Sequence, residues 1–218
     1  MTTDTLISLA ILVVIFLGVA FPIHEFAHAY VAYRLGDATA KMFGRLTLNP
    51  VVHFDPLGGM LLVVSALASA ALSGGGFIFG WAKPTPVNPS NLRDRRNGEA
   101  LVALAGPASN LVMAVFGAIV WRVADALVPD APELFWEIVF YFVAFNIALA
   151  IFNMIPVPPL DGSAILFRLV SPRMAWQLRP LLAQYGFVVV IAVIFLGGTV
   201  LGRLIYSATA ALLGIPGL

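Results

Sequence analysis

Residues 5–35 read TLISLAILVVIFLGVAFPIHEFAHAYVAYRL. As a helix rising 1.5 Å per residue, this run extends roughly 45 Å, more than the ~30 Å hydrocarbon core of a bilayer. Its second half nevertheless carries His24, Glu25 and His28. One ionisable side chain in mid-membrane costs ~2.5–3.5 kcal/mol on an insertion scale, so three of them within five positions call for compensation. Histidines at i and i+4 lie one turn apart on one helical face. Both imidazoles then reach a single Zn²⁺, with the intervening glutamate placed to act on the water it activates. The bland alternative is a histidine pair hydrogen-bonded to neighbouring helices, with Glu25 snorkelling. Pro22, just before the motif, removes a backbone donor and predicts a kink there.

Composition supports a membrane setting. Of the 218 residues, 61% are hydrophobic and 11% charged, against about 25% charged in soluble domains. A net charge of +1 offers no electrostatic case for nucleic acid. With no cysteine, disulfides and thiolate metal sites are excluded. Gly18-Val19-Ala20 resembles a small-residue cleavage site, but no Lys or Arg precedes the apolar run. Cleavage there would strand His24 and Glu25 at a new terminus, so the run reads as a retained helix.

Gly36-Asp37 ends this first helix. The stretch 38–48, ATAKMFGRLTL, predicts short strands or a β-hairpin around Gly44. Residues 57–80 are apolar but broken by Gly74-Gly75-Gly76. Spans follow at about 99–128 and 134–155, separated by an acidic loop at 129–133. A short helix runs from Asp161 to Val170, then a basic connector, then a last span over 181–213 with Gly197-Gly198 loosening its middle. The expected fold is an α-helical polytopic membrane protein of one domain over 1–218. It has about four full transmembrane helices, a re-entrant segment and a small β-hairpin or sheet.

Two histidines do not complete a metal site. His53, Asp55, Glu99, Asp125 and Asp161 are candidates for the third ligand. Asp161 follows the proline-rich NMIPVPPL stretch, where an irregular loop is tolerated at membrane depth only if protein or a wet cavity surrounds it. It also begins a helix, whose dipole favours the ionised form. A simple helix cap is the equal alternative.

Three motifs occur in order: His24-Glu25-x-x-His28, Gly106-Pro107-x-x-Asn110, and Asn153-x-x-Pro156 followed by Asp161-Gly162. Together they resemble the site-2 protease family of intramembrane zinc proteases, in its compact prokaryotic form without PDZ or CBS domains. The resemblance runs from the first helix to about Arg168. It implies His24, His28 and Asp161 as zinc ligands and Glu25 as the catalytic acid/base. The family's asparagines fall on Asn110 and Asn153. It also implies membrane-anchored protein or peptide substrates, including regulators and signal-peptide remnants. Unlike many members, this chain shows no helix before the H-E-x-x-H helix.

Asn110 and Asn153 are candidates for oxyanion or substrate contact, each weighed against a structural role: helix–helix bonding for Asn110 and anchoring of the proline loop for Asn153. His53, in a turn-rich loop, is a candidate for supporting the ligands or touching substrate, against backbone bonding alone. The 38–48 strands offer either an edge for an extended substrate or a cover over the site. Rival functions are a metal-binding transporter and a non-catalytic relative. For His28 and Asp161 to share one ion, the chain must cross the membrane an even number of times between them. Residues 57–80 are therefore expected to dip in and return, turning near Gly74 to Gly76. The positive-inside rule then puts the basic segments and the active site toward the cytoplasm of a prokaryotic membrane, with loop 129–133 outside.

Overall fold

The computed structural model describes residues 13–71 and 80–215, together with Ile7, Ala10 and Ile11. A π-helical turn, Phe16–Ala20, leads directly into α1, Phe21–Arg34. The turn is the helix's answer to Pro22, which has no N–H. The Phe21 N–H reaches back to Phe16 O, and the change of pitch brings His24, Glu25 and His28 to the interior. Short helices follow, α2 (Thr39–Met42) and α3 (Pro50–His53), then the apolar α4 (Pro56–Ala71). After a 3₁₀ turn at Pro89–Asn91 come α5 (Arg95–Leu127), α6 (Glu133–Asn153), α7 (Gly162–Leu169) and α8 (Pro172–Leu213).

Among the described residues four helices are long and apolar enough to cross a bilayer: Val13–Arg34, Arg95–Leu127, Glu133–Asn153 and Pro172–Leu213. The last absorbs the expected basic connector and runs unbroken through Pro180 and Gly197-Gly198.

The expected hairpin is corrected: no strand occurs among the described residues, and 39–42 is a single helical turn. Local bonding explains it. Asp37 accepts from the Thr39 N–H at 3.0 Å and from its hydroxyl, nucleating the turn as a capping carboxylate does. Gly44, at φ +69°, closes it, with Gly44 N–H to Lys41 O and Arg45 N–H to Ala40 O. The proposed substrate edge and covering sheet fall with the hairpin.

The turn expected near Gly74 to Gly76 lies outside the described residues. The described residues on either side of it lie close together. A Cβ on Gly58 would lie 2.1 Å from Trp81 O, and one on Gly80 would lie 2.6 Å from Leu62 Cβ. The chain leaving through α4 is thus back beside the first turns of α4 by residue 80.

From there an extended strap, 81–88, crosses α3 and α1. Lys83 N–H bonds His53 O, and Asn88 N–H bonds Asp37 Oδ2 at 2.7 Å. The core between α5 and α6 closes on Ala114, Ala118, Val143 and Ile147, with Leu213 of α8. Gly117 lets these two helices touch, since a Cβ there would meet Val143 Cγ2 at 2.7 Å. Small residues at the crossing are how helices pack tightly where lipid supplies no hydrophobic drive.

Candidate metal centre

α1 delivers the two histidines and the loop after α6 delivers the carboxylate. His24 Nε2 lies 3.3 Å, and His28 Nε2 3.4 Å, from Asp161 Oδ2. The two Nε2 atoms are 3.0 Å apart. Among the described residues these three form the one group of His, Asp or Glu side chains close enough to share an ion. An ion held tetrahedrally at about 2.0–2.1 Å separates its ligand atoms by roughly 3.3 Å, so the spacing fits.

Hydrogen placement strengthens the fit. His28 Nδ1 is 2.7 Å from Val102 O. A carbonyl only accepts, so Nδ1 carries the ring hydrogen and Nε2 of the neutral ring presents a lone pair. His24 Nδ1 donates to Asn110 Oδ1 at 2.6 Å, leaving its Nε2 likewise bare. Asp161 Oδ2 is buried without a hydrogen-bond donor. With both rings neutral, two lone pairs and a carboxylate oxygen therefore face one another in a largely buried site. A shared cation would satisfy all three atoms at once, and the borderline-soft nitrogen and oxygen donor set suits zinc.

The Asp161 side chain makes no capping bond to α7, and its Oδ2 faces the two histidines instead. Several contacts hold it in place. Gly162 passes so close to the end of α6 that a Cβ would sit 2.3 Å from Met154 O. Gly186 of α8 supports the proline loop, where a Cβ would sit 2.3 Å from Pro158 O. Val157 and Leu160 pack against Val190 and Ile194. Arg96 donates to the carbonyls of Arg168 and Val170, and Arg168 to Asn97, clamping α7 to the start of α5.

Glu25 is buried but lies outside the converging trio. One of its oxygens accepts the Thr85 N–H at 2.8 Å, while the Thr85 hydroxyl donates to Glu25 O at 3.0 Å. Thr85 stands between Pro84 and Pro86, so it is the one backbone donor of the three.

The other candidates separate. Asn110 is fully buried, bonded to His24 on one side and to Asn146 Oδ1 on the other. Asn153 donates to Leu149 O within its own helix. His53 is buried, and its Nε2 donates to Thr47 O. Asp55 accepts from Gly58 N–H, and Glu99 pairs with Arg179 at 2.7 Å.

Two residues at the centre, Asn146 and Thr85, escape sequence reading, and Gly106 was read only as part of a motif, without its contact with the rings. Gly106 packs where a Cβ would be 2.4 Å from His28 Nε2 and 2.6 Å from His24 Nε2. Asn146 lies behind Asn110, and Thr85 lies on Glu25. The signal for Asn146 was a lone amide in mid-span, which is costly in lipid and commonly functional.

The profile of Peptidase family M50 matches residues 123–197, which include Asp161. A protein of Bacillus subtilis named "Putative zinc metalloprotease YwhC" is 39% identical over 187 residues, covering 84% of this chain and 80% of its own length. Two mycobacterial relatives share the name "Putative zinc metalloprotease Rip2". The one from Mycolicibacterium smegmatis is 32% identical over 79% of this chain and 62% of its own length. The one from Mycobacterium tuberculosis is 29% identical over 84% and 66%. No solved structure matches the chain.

Proposed function

The chain belongs to peptidase family M50, the site-2 proteases, and from that membership we propose how its own residues divide the work of cleavage. It is an integral membrane zinc metalloprotease. In our reading His24, His28 and Asp161 hold the metal, each through the atom that faces the other two. When bound, zinc supplies a Lewis acid and brings the pKa of water toward neutrality.

Glu25 is the acid/base. Its place beside His24, outside the ligand trio, leaves it to take the proton from the attacking water and return it to the leaving amine nitrogen. The Thr85 N–H holds this carboxylate by a charge-assisted bond and orients it. Val102 O and Asn110 hold the imidazoles with Nε2 toward the metal. The substrate is a membrane-anchored protein or peptide, and a helical segment must unwind before its carbonyl is reachable.

Orientation follows from charge. Among the 12 Lys and Arg, all but Arg122 and Arg203 lie in segments at the metal-centre end of the helices, while Asp125, Asp130, Glu133 and Glu137 gather at the other end. By the positive-inside rule the active site faces the cytoplasm.

The observation that carries this reading is the meeting of two imidazole Nε2 atoms and a carboxylate oxygen from distant parts of the chain. The decisive experiment compares zinc content with cleavage of a model transmembrane peptide. Glu25→Gln should keep zinc and lose cleavage by at least ~100-fold, the usual worth of a positioned general base. His24→Ala, His28→Ala and Asp161→Asn should each lose zinc. Full zinc in these three variants, or undiminished cleavage by Glu25→Gln, defeats the reading. A metal-binding transporter would have no use for a non-ligand glutamate at position 25.

A further inference from the structure

We propose that Asn146 is a positioning residue that sets the tautomer of His24, acting through Asn110, and so keeps the His24 Nε2 lone pair available to the metal. The inference rests on the metal-site reading above. Asn146 lies in mid α6, fully buried, seven residues before the asparagine of the family motif.

Its side chain donates from Nδ2 to Phe142 O at 2.8 Å. A backbone carbonyl can only accept, so the amino group must face Phe142 and Oδ1 must face the other way. That oxygen accepts from Asn110 Nδ2 at 2.9 Å, which turns Asn110 Oδ1 toward His24 Nδ1 at 2.6 Å. An amide oxygen also only accepts. The His24 hydrogen is therefore placed on Nδ1, and Nε2 is left bare beside His28 Nε2 and Asp161 Oδ2.

Reversing the Asn146 amide would set acceptor against acceptor at Phe142 O, and reversing the Asn110 amide would do the same at Asn146 Oδ1. Asn110 and Asn146 are both 0% exposed, so solvent offers no substitute partners. The two ligand rings thus receive the same tautomer by different routes. His28 takes it directly from Val102 O. His24 takes it from Phe142 O through two relayed amides.

A purely structural role, gluing α5 to α6, makes a different prediction. Without Asn146, the Asn110 amino group loses its acceptor and is free to turn toward His24 Nδ1, driving the ring hydrogen onto Nε2. Asn146→Leu should then weaken zinc binding about 10–100-fold, the usual cost of losing such support. Adding Asn110→Asp should restore it. A carboxylate at 110 offers His24 only acceptor oxygens and needs no second residue to orient it. Helix glue predicts that the double variant is as weak as the single one, or weaker.

The experiment uses the full chain in micelles. Zinc affinity is measured by chelator competition, and ¹⁵N chemical shifts of the His24 ring nitrogens are read in metal-free protein. Wild type should show hydrogen on Nδ1, Asn146→Leu a substantial Nε2-protonated population, and Asn110→Asp/Asn146→Leu the wild-type pattern, with affinity within about threefold of wild type. If the leucine variant fails to fold, Asn146→Ala carries the same comparison. Unchanged zinc affinity in the single variant, an unchanged tautomer, or failure of the second substitution to restore binding overturns the proposal. A wild-type chain that binds no zinc overturns the metal site itself, which separates the two failures.

Discussion

Gly106→Ala puts the geometry of the centre under the sharpest test. Gly106 lies inside α5, where replacing glycine by alanine in an unobstructed helix stabilises by about 1 kcal/mol. Propensity alone thus predicts a harmless or beneficial change. The structure predicts the reverse. The added carbon would stand 2.4 Å from His28 Nε2 and 2.6 Å from both Cε1 and Nε2 of His24. Ordinary contact between such atoms begins at about 3.5 Å, so the rings must retreat by about 1 Å. Metal sites tolerate departures of about 0.2 Å in ligand distance. A displacement of about 1 Å typically costs ~100-fold in rate, equivalent to roughly 2.7 kcal/mol of transition-state stabilisation.

The assay is zinc per chain by mass spectrometry after dialysis against a mild chelator, with kcat/KM for a transmembrane peptide. Gly202→Ala is the control, since a Cβ there meets nothing within 4 Å. It should keep zinc and activity while the Gly106 variant loses both. An alanine at 106 that retains full zinc and cleaves within threefold of wild type would show that α5 does not press against the ligand rings.

Other expectations follow from neighbouring contacts. Gly162→Ala, whose Cβ would lie 2.3 Å from Met154 O, should displace Asp161 and lower zinc affinity at least tenfold, checked by the same competition assay. Burial pushes the Asp37 carboxyl up, but hydrogen bonds from Thr39, Asn91 and Asn88 outweigh it and hold the folded value below the ordinary carboxylate range. Its stabilisation is therefore complete above the unfolded value of about 3.9 and lost as pH falls through the lower folded value. Melting temperature in detergent should drop across that acid window. Asp37→Asn should melt lower at neutral pH, by about 1–3 kcal/mol for a lost charged bond, and respond less steeply to acid. A cysteine placed at Asp130 should label only from outside the cell, and labelling solely from the cytoplasmic face would invert the membrane orientation.

The reach of the sequence ends at identifiable places. Helical spans were legible because apolar runs of sufficient length have few alternatives in a bilayer, and the boundaries of α5 and α6 follow their polar and proline flanks. The histidine pair was legible because its spacing is local: one turn of one helix brings both rings together. The short segment 38–48 was not. Its stretch around Gly44 suggested a hairpin, while the Asp37 carboxylate and the left-handed Gly44 bracket a helical turn.

What only tertiary structure decided has one physical cause: contacts across large sequence separations leave no periodicity to read. Asp161 could equally have capped α7, and its approach to His24 and His28 rests on close packing at Gly162 and Gly186. Thr85 meets Glu25 because the chain returns to the start of α4 by residue 80. Asn146 stands 36 positions from Asn110, and Asn110 stands 86 from His24. The sequence determined which groups are candidates for the chemistry. The fold determined how hydrogens and lone pairs are aimed, because a hydrogen bond's direction depends on which partner lies opposite it.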